Sequence, residues 1–251
     1  MTAPIRMGAG APHGQATAAR ERRSTSARSA LRFPRLAAFA GLASFDLIII
    51  AAFVAPPLWN APGTGASGAR VSAYAQHYAS RSTAALLIYS IAMGLFLCFA
   101  AGLWAWLRER EGAPHALSSV FAFAAIALVI LILAAFVPGY MLSYRTQPSV
   151  IAGPLADLGF GLLALSGLPT ALCLASYATL VRRLRCLPPW TAWLAGAGAL
   201  AHVLIAASFV SHGGFLSLES SVIVWVPATF FAWIFATSAA LLRKPTSAAV
   251  S

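Results

Sequence analysis

Six long stretches of the chain are almost entirely apolar, and short polar segments separate them. A helix rises about 1.5 Å per residue, so about 20 apolar residues cross the ~30 Å hydrocarbon core of a bilayer. The alternation of apolar and polar residues that marks a membrane β-barrel strand is absent. The pattern therefore predicts an all-α polytopic membrane protein, a six-transmembrane-helix bundle. Its predicted spans are 36–55, 84–107, 116–137, 155–181, 190–210 and 221–242.

The connections between these spans are short except for the first outer one, 56–83. The second half of this connection has apolar and tyrosine residues at the spacing of one helix face, i, i+3, i+4 and i+7. These residues are Val71, Tyr74, Ala75 and Tyr78. This segment is expected to form an amphipathic helix that lies on the outer membrane surface.

The composition supports insertion into a membrane, since 60% of the 251 residues are hydrophobic and only 9% are charged. Soluble domains carry about 25% charged residues. With a mean hydropathy of +0.79, the chain has too few charges to cover a water-exposed surface. This excludes a soluble globular enzyme. Disorder is excluded for most of the chain, because disordered segments are poor in hydrophobic residues.

The positive charges mark one side of the predicted membrane. The chain has 17 Lys and Arg, and 14 of them lie in the N-terminal tail, the second and fourth loops and the C-terminal tail. The opposite side has only Arg70, Arg81 and Arg145. Because cytoplasmic loops are enriched in Lys and Arg, both termini are predicted to be cytoplasmic, in a multi-pass protein of the cytoplasmic membrane. The cations follow the ends of the spans, so no nucleic-acid partner is expected.

Three regions follow from these features. Residues 1–35 are predicted to be a disordered basic cytoplasmic tail that is attracted to anionic lipid headgroups. A start at Met7 is an alternative to one at Met1. Residues 36–242 form the predicted six-span transmembrane domain, and residues 243–251 form a short cytoplasmic tail.

Asp46 is the one formal charge near the middle of a predicted span, and His202 lies at a similar depth in the fifth span. A charge at mid-membrane costs roughly 2.5–3.5 kcal/mol or more. One hypothesis is that the carboxylate and the imidazole meet across the bundle and bind a cation or relay a proton. The alternative is a hydrogen-bonded structural contact that fixes the register of two helices.

A second group of candidate residues lies near the outer ends of spans three to six. Their side chains are expected either to line an outward-facing pocket for a small polar or amphiphilic ligand, or to form an ordinary hydrated interface with tyrosine anchors. The group consists of Asp157, Glu219, His212, Arg145, Tyr140 and Tyr144.

The fourth span is the least regular, because prolines and glycines interrupt it. Proline kinks a helix, and broken spans often line binding sites, although a bend satisfied by neighbouring helices is the alternative. Ser166-Gly167 in this span and His202 in the next invite comparison with six-span rhomboid-type proteases. Those enzymes use a Gly-x-Ser-Gly motif and a His on the last core span. Here Ala164 replaces the first glycine and span six has no His, so no catalytic residue is predicted.

No cofactor or metal site is predicted. Cys98, Cys173 and Cys186 have no CxxC spacing, which argues against a zinc site or a disulfide framework. Residues 63–68 match the glycine pattern of dinucleotide-binding proteins, but they follow no strand. His202 is the only histidine within a span, so the two facing ligands of a membrane b-type haem are missing.

Four segments carry a resemblance to known sequences. They are residues 62–67 with 71–78, Trp104-Ala105-Trp106-Leu107-Arg108, Gly167-Leu168-Pro169, and Leu187-Pro188-Pro189-Trp190-Thr191-Ala192-Trp193-Leu194. Over roughly 36–242 the chain resembles a group of six-span bacterial membrane proteins classed as a domain of unknown function. It departs from that group at Pro189, where a cation is usual. The resemblance implies a six-helix bundle in a bacterial cytoplasmic membrane and brings no activity or site residues.

Three functions are open on the sequence alone. The first is a non-enzymatic integral membrane protein that acts through helix packing or a small-ligand pocket, with a second copy or another membrane protein as partner. The second is a small ion- or proton-coupled transporter that uses Asp46 and His202. The third is an intramembrane enzyme that acts on a lipid-like substrate near Asp157 and Glu219.

Overall fold

Eight α-helices account for most of the residues that a computed structural model of the protein describes, which are 13–56, 61–63, 65–208 and 221–243. No β-strand occurs within these ranges. In chain order the helices are α1 (His13–Val54), α2 (Gly68–His77), α3 (Ala79–Glu111), α4 (Ala116–Tyr144), α5 (Ser149–Leu165), α6 (Gly167–Leu184), α7 (Pro189–Ala207) and α8 (Ser221–Arg243).

Six helical stretches in the described ranges are long and apolar enough to cross a bilayer. They are Pro34–Val54, Ala79–Glu111, Ala116–Tyr144, Ser149–Leu184, Pro189–Ala207 and Trp225–Arg243. The predicted fold class, an all-α polytopic bundle with six spans, is thereby confirmed. The protein is a multi-pass integral membrane protein.

The spans pack as a closed ring. Around the ring, α1 contacts α3, α3 contacts α4, α4 contacts α6, α6 contacts α7, α7 contacts α8, and α8 contacts α1. The other two helices, α2 and α5, contact each other and α4 outside this ring. We call the end of the bundle that holds α2 the outer end. The opposite end, where residues 112–115 join α3 to α4, is the inner end.

Aromatic side chains fill the centre of the ring. The Trp233 ring makes edge contacts with Phe99 and Tyr177, with ring centroids 5.8 and 5.1 Å apart, and all three side chains are fully buried. The Tyr177 hydroxyl donates to Thr191 at 3.0 Å and accepts a hydrogen bond from Thr237 at 3.2 Å. This pairing satisfies a hydroxyl that is shielded from water.

A carboxylate stabilises the tight inner connection between α3 and α4. The two oxygens of Glu111 accept hydrogen bonds from the backbone N–H groups of Leu117 and Ser118, each at 2.9 Å. These N–H groups lie in the first turn of α4, where no helical carbonyl can accept from them. A negative charge there also interacts favourably with the helix dipole.

The first helix, α1, begins at His13, well before the first predicted span. The sequence predicts disorder through residue 35, and the structure differs from this prediction because residues 13–35 are helical. The segment is rich in Ala and Arg, which are good helix formers. Extending an existing helix also requires no new nucleus. Residues 1–12 lie outside the described residues.

The predicted fourth span, 155–181, is built from two helices, since α5 ends at Leu165 and α6 begins at Gly167. A Cβ on Gly167 would lie 2.6 Å from the carbonyl oxygen of His202, so glycine is required for α6 to approach α7 this closely. The ring position is occupied by α6. Helix α5 instead packs on α4 and α2 at the outer end.

Candidate functional site

A cavity of about 340 Å³ lies at the outer end between α2, α3, α4 and α5. The segment that follows α1 lines another side of this cavity, through Ala55, Pro56, Ala61 and Pro62. Pockets that bind small molecules usually have volumes of about 300–1,000 Å³. The cavity is therefore large enough for a small ligand, and we call it the outer cavity.

The lining of the outer cavity is apolar apart from four hydroxyl groups. These belong to Tyr74, Ser82, Tyr89 and Ser143. None of the described lining residues is acidic, basic or a histidine. Since a hydroxyl both donates and accepts a hydrogen bond, the lining suits a ligand with an apolar body and an uncharged polar group.

The outer cavity extends from the outer part of the hydrocarbon core to the outer boundary of that core. At the inner end of α3, the guanidinium carbon of Arg108 lies 5.2 Å from the centroid of the Trp104 ring, a pair typical of a membrane interface. From Trp104 back to Ala79, α3 is about 38 Å long, at ~1.5 Å per residue. The hydrocarbon core is only ~30 Å thick, so the outer turns of α3 extend beyond it.

Helix α2 covers one side of the outer cavity, and two side-chain hydrogen bonds hold it there. Ser72 Oγ donates to the carbonyl oxygen of Gln147 at 3.0 Å, and Gln76 Nε2 donates to that of Leu142 at 2.9 Å. Val71 and Ala75 are buried, which confirms the amphipathic helix predicted for this segment. The apolar face of α2 packs on α4 and α5 instead of resting on the membrane surface.

The contact between α2 and α5 depends on glycine. A Cβ on Gly68 would collide with the carbonyl oxygen of Ser149. Opposite Gly68, a Cβ on Gly153 would lie 3.8 Å from the Gly68 Cα. Small residues allow helix backbones to approach this closely. The last glycine of the dinucleotide-like pattern thus has a packing role.

Arg81 links the start of α3 to the end of α1 through hydrogen bonds. Its guanidinium donates to the carbonyl oxygens of Val54 at 3.0 Å, Ala55 at 2.9 Å and Phe53 at 3.4 Å. The last carbonyls of a helix have no helical donor, and a cation there complements the helix dipole. This cap holds the segment after α1 beside the outer cavity.

Tyr74 stays protonated at neutral pH. Burial raises the pKa of Tyr74, and Tyr78 raises this pKa further, whereas Arg81 lowers it. The hydroxyl of Tyr74 therefore keeps its proton at the border of the outer cavity.

Three of the predicted outer residues, Tyr140, Tyr144 and Arg145, line a second pocket of about 340 Å³ at the outer ends of α3 and α4. This pocket is lined by Thr83, Tyr140, Met141, Tyr144, Arg145 and Gln147. Asp157 is exposed on α5 and lines neither pocket. Glu219 and His212 lie outside the described residues.

The structure does not bring Asp46 and His202 together. Asp46 is exposed on the outside of the ring. His202 is buried, with its Nδ1 2.8 Å from the carbonyl oxygen of Gly198 and its ring edge-on to Phe230 of α8. Because α8 lies between α1 and α7 in the ring, this pair does not form the hypothesised ion or proton site.

The described part of the chain shows neither a Ser166–His202 hydrogen bond nor a metal-binding cluster. Ser166 Oγ donates to the carbonyl oxygen of Leu163 at 2.6 Å and makes no hydrogen bond to His202. A serine nucleophile needs its base within hydrogen-bond reach. No group of three or more His, Cys, Asp or Glu side chains in the described ranges could hold a metal ion.

Sequence reasoning missed most of the outer cavity. Ser82, Tyr89 and Ser143 lie in or beside apolar stretches and belong to no recognisable motif. One feature of the sequence does indicate a cavity at this place. Pro138-Gly139 and Gly159 lie near the outer ends of adjacent spans, and small or helix-kinking residues often accompany a cavity.

Comparison of the chain with protein-family models finds no match, and comparisons with curated proteins and with solved structures find none either.

Proposed function

We propose that this integral membrane protein binds a single-chain amphiphile, with an apolar chain and an uncharged hydroxyl-like end, in the outer cavity. The observation that carries the proposal is the lining, which is apolar apart from four hydroxyl groups and has no charged side chain among its described residues. A charged headgroup would lose its hydration in such a site without gaining a counter-charge. An uncharged polar end instead finds hydroxyl partners.

The volume of the outer cavity limits the length of the ligand. If each small group takes about 30 Å³, the share of one molecule in liquid water, a volume of 340 Å³ accommodates roughly 11 non-hydrogen atoms. An alkyl or isoprenoid chain of about ten carbons has this size. The outer cavity therefore matches a chain of about this length, and the proposed ligand is a small amphiphile.

The position of the outer cavity fits the same ligand. Phe136 and Leu163 line it from the spans, whereas Tyr74 and Ser82 line it from the segment that extends beyond the hydrocarbon core. An apolar chain can therefore lie at the depth of the outer leaflet while its polar end faces the headgroup region. The proposed role is binding without chemical conversion.

We also propose that the membrane is the bacterial cytoplasmic membrane, with both termini inside. The support is the concentration of 14 of the 17 cations at the inner end and in the tails, together with the resemblance to bacterial six-span proteins. In this orientation the arginine-rich segment 1–35 lies on the side of the anionic headgroups of the inner leaflet.

Binding of a ten-carbon alcohol by the purified protein in lipid nanodiscs tests the proposal. Saturable binding above that of empty nanodiscs is expected, and Ala156→Phe, which places a ring in the cavity, should weaken it at least tenfold. The matched control is Leu158→Phe, since Leu158 is 53% exposed on the same helix and does not line the cavity. Equal binding by the two variants, or no saturable binding at all, would contradict the proposal.

A further inference from the structure

Asp46 places a carboxylate at an energetically unfavourable position on the outer surface of the ring. It lies close to the middle of the span Pro34–Val54, and its side chain is exposed. It forms no hydrogen bond or ion pair with any residue that the structure describes. A carboxylate at this depth is strongly unfavourable unless a donor or cation neutralises it.

The face of α1 that carries Asp46 has the pattern of a helix-pairing seam. Its exposed residues recur at alternating intervals of three and four, with an a/d heptad spacing. Besides Asp46, the exposed side chains of this seam are Leu36, Phe39, Ile50 and Phe53, with exposures of 65, 59, 48 and 82%. The small, partly buried Ala43 completes the spacing one turn from Asp46 and allows close approach of another helix. We call this set of residues the α1 face.

A second copy of this chain does not supply a cation to the α1 face. Every Arg and Lys lies at the end of a span, in a loop or in a tail, so none reaches mid-depth. A symmetric pairing through this face would instead set one Asp46 carboxylate near another, which is repulsive at low dielectric.

We propose that the α1 face binds a transmembrane helix of a different membrane protein, one that carries an Arg or Lys near the middle of its span. The two opposite charges would neutralise each other in the hydrocarbon, and the apolar residues of the seam would pack around them. The α1 face does not include any residue that lines the outer cavity, so this interface is independent of ligand binding there.

Energy transfer in phosphatidylcholine vesicles tests this interface. The full-length protein carries a donor fluorophore after its C-terminus, and synthetic Leu/Ala transmembrane peptides with either Arg or Leu at the central position carry the acceptor. The expected result is at least tenfold tighter association with the Arg peptide. Asp46→Asn, an exposed and nearly isosteric change, should remove this preference, and Asp46→Glu should retain it.

Asp157→Asn is the matched control, because Asp157 is also exposed but lies on α5 at the outer end. This variant should keep the preference for the Arg peptide. The proposal is overturned if the two peptides associate equally with the wild-type protein, or if the preference survives Asp46→Asn. It is also overturned if, in vesicles that hold donor-labelled and acceptor-labelled copies of the protein without peptide, energy transfer occurs between two copies and is lost in Asp46→Asn, which would make a second copy the occupant.

Discussion

The inner half of the ring and the outer end of the molecule use similar residues but pack them differently. In the inner half, Phe99, Tyr177 and Trp233 are fully buried and fill the centre. At the outer end, Phe136 and Phe160 are only partly buried and border a cavity of about 340 Å³. Tight packing in the inner half can therefore hold the bundle together while the outer end keeps space for a ligand.

The difference has local causes. The inner half has spans that meet directly around a ring centre, whereas the outer end adds the two further helices α2 and α5. These helices are joined through Gly68 and Gly153, and their packing against α4 leaves the space beneath α2 incompletely filled. Hydrogen bonds from Ser72 and Gln76, rather than a dense core, keep α2 in place.

The largest expected difference between the two regions comes from removing one phenyl ring in each. Phe99→Ala opens a void in a fully packed centre and should lower the free energy of unfolding by about 3–5 kcal/mol. Phe160→Ala only enlarges an existing cavity and should cost less than half as much. Thermal unfolding in detergent micelles measures both. Equal losses would show that the outer end is as tightly packed as the inner half.

The lipid-facing surface of the ring differs from both the packed inner half and the outer end. In the isolated protein, Asp46→Leu should raise the free energy of unfolding by about 2.5–3.5 kcal/mol, because it removes a charge that faces lipid near mid-depth. Asp157→Leu, nearer the headgroups, should give a smaller gain. Unfolding from lipid bilayers into aqueous denaturant measures both, and a loss of stability in Asp46→Leu would show that the carboxylate has a stabilising partner within the protein.

Closure of the outer cavity by α2 can be tested at Gly68, where α2 begins, and at Gly65, which precedes the helix. Gly68→Ala places a Cβ against the Ser149 carbonyl, and this overpacking should destabilise the α2–α5 contact by about 1–3 kcal/mol. Gly65→Ala is the control, since a Cβ there meets nothing within 4 Å. Hydrogen exchange should become faster in α2 for the first variant only. Unchanged exchange in Gly68→Ala would contradict the described contact.

The smallest expected effect concerns the cap on α1. Arg81→Gln removes the charge from the three carbonyls at the end of this helix and should cost about 0.3–1 kcal/mol. Hydrogen exchange should become faster in the last turn of α1 and remain unchanged around Trp233. A change that spreads to the inner half would show that the two regions are not independent.

Much of the fold could be predicted from the chain because membrane insertion leaves a strong pattern. Spans such as 116–137 are continuous apolar runs, and lipid requires their backbone groups to be paired in helices. The division of the fourth span at Ser166 was less visible, because it depends on a close approach of Gly167 to His202 in another helix. A contact of that kind has no local sequence pattern.

The candidate site was predictable only in outline. A pocket at the outer end was one of two interpretations of the outer residues, and Tyr140 and Arg145 do line a pocket there. The amphipathic helix was expected on the outer membrane surface. The outer cavity itself is formed by small and apolar residues such as Ala85 and Gly159, which resemble those of any span. The pairing of Asp46 with His202 was inferred from equal depth alone, and depth does not determine which face of the ring a side chain occupies.

Photolabelling with a ten-carbon alcohol that carries a diazirine near its chain end tests whether the outer cavity binds a single-chain amphiphile. After irradiation in nanodiscs, peptide mapping should place the label on cavity residues such as Phe136, Phe160 and Leu163, and Ala156→Phe should abolish that labelling. Label spread over lipid-facing residues such as Phe123 and Leu200, which are 72 and 73% exposed, with no effect of Ala156→Phe, would contradict binding in the outer cavity.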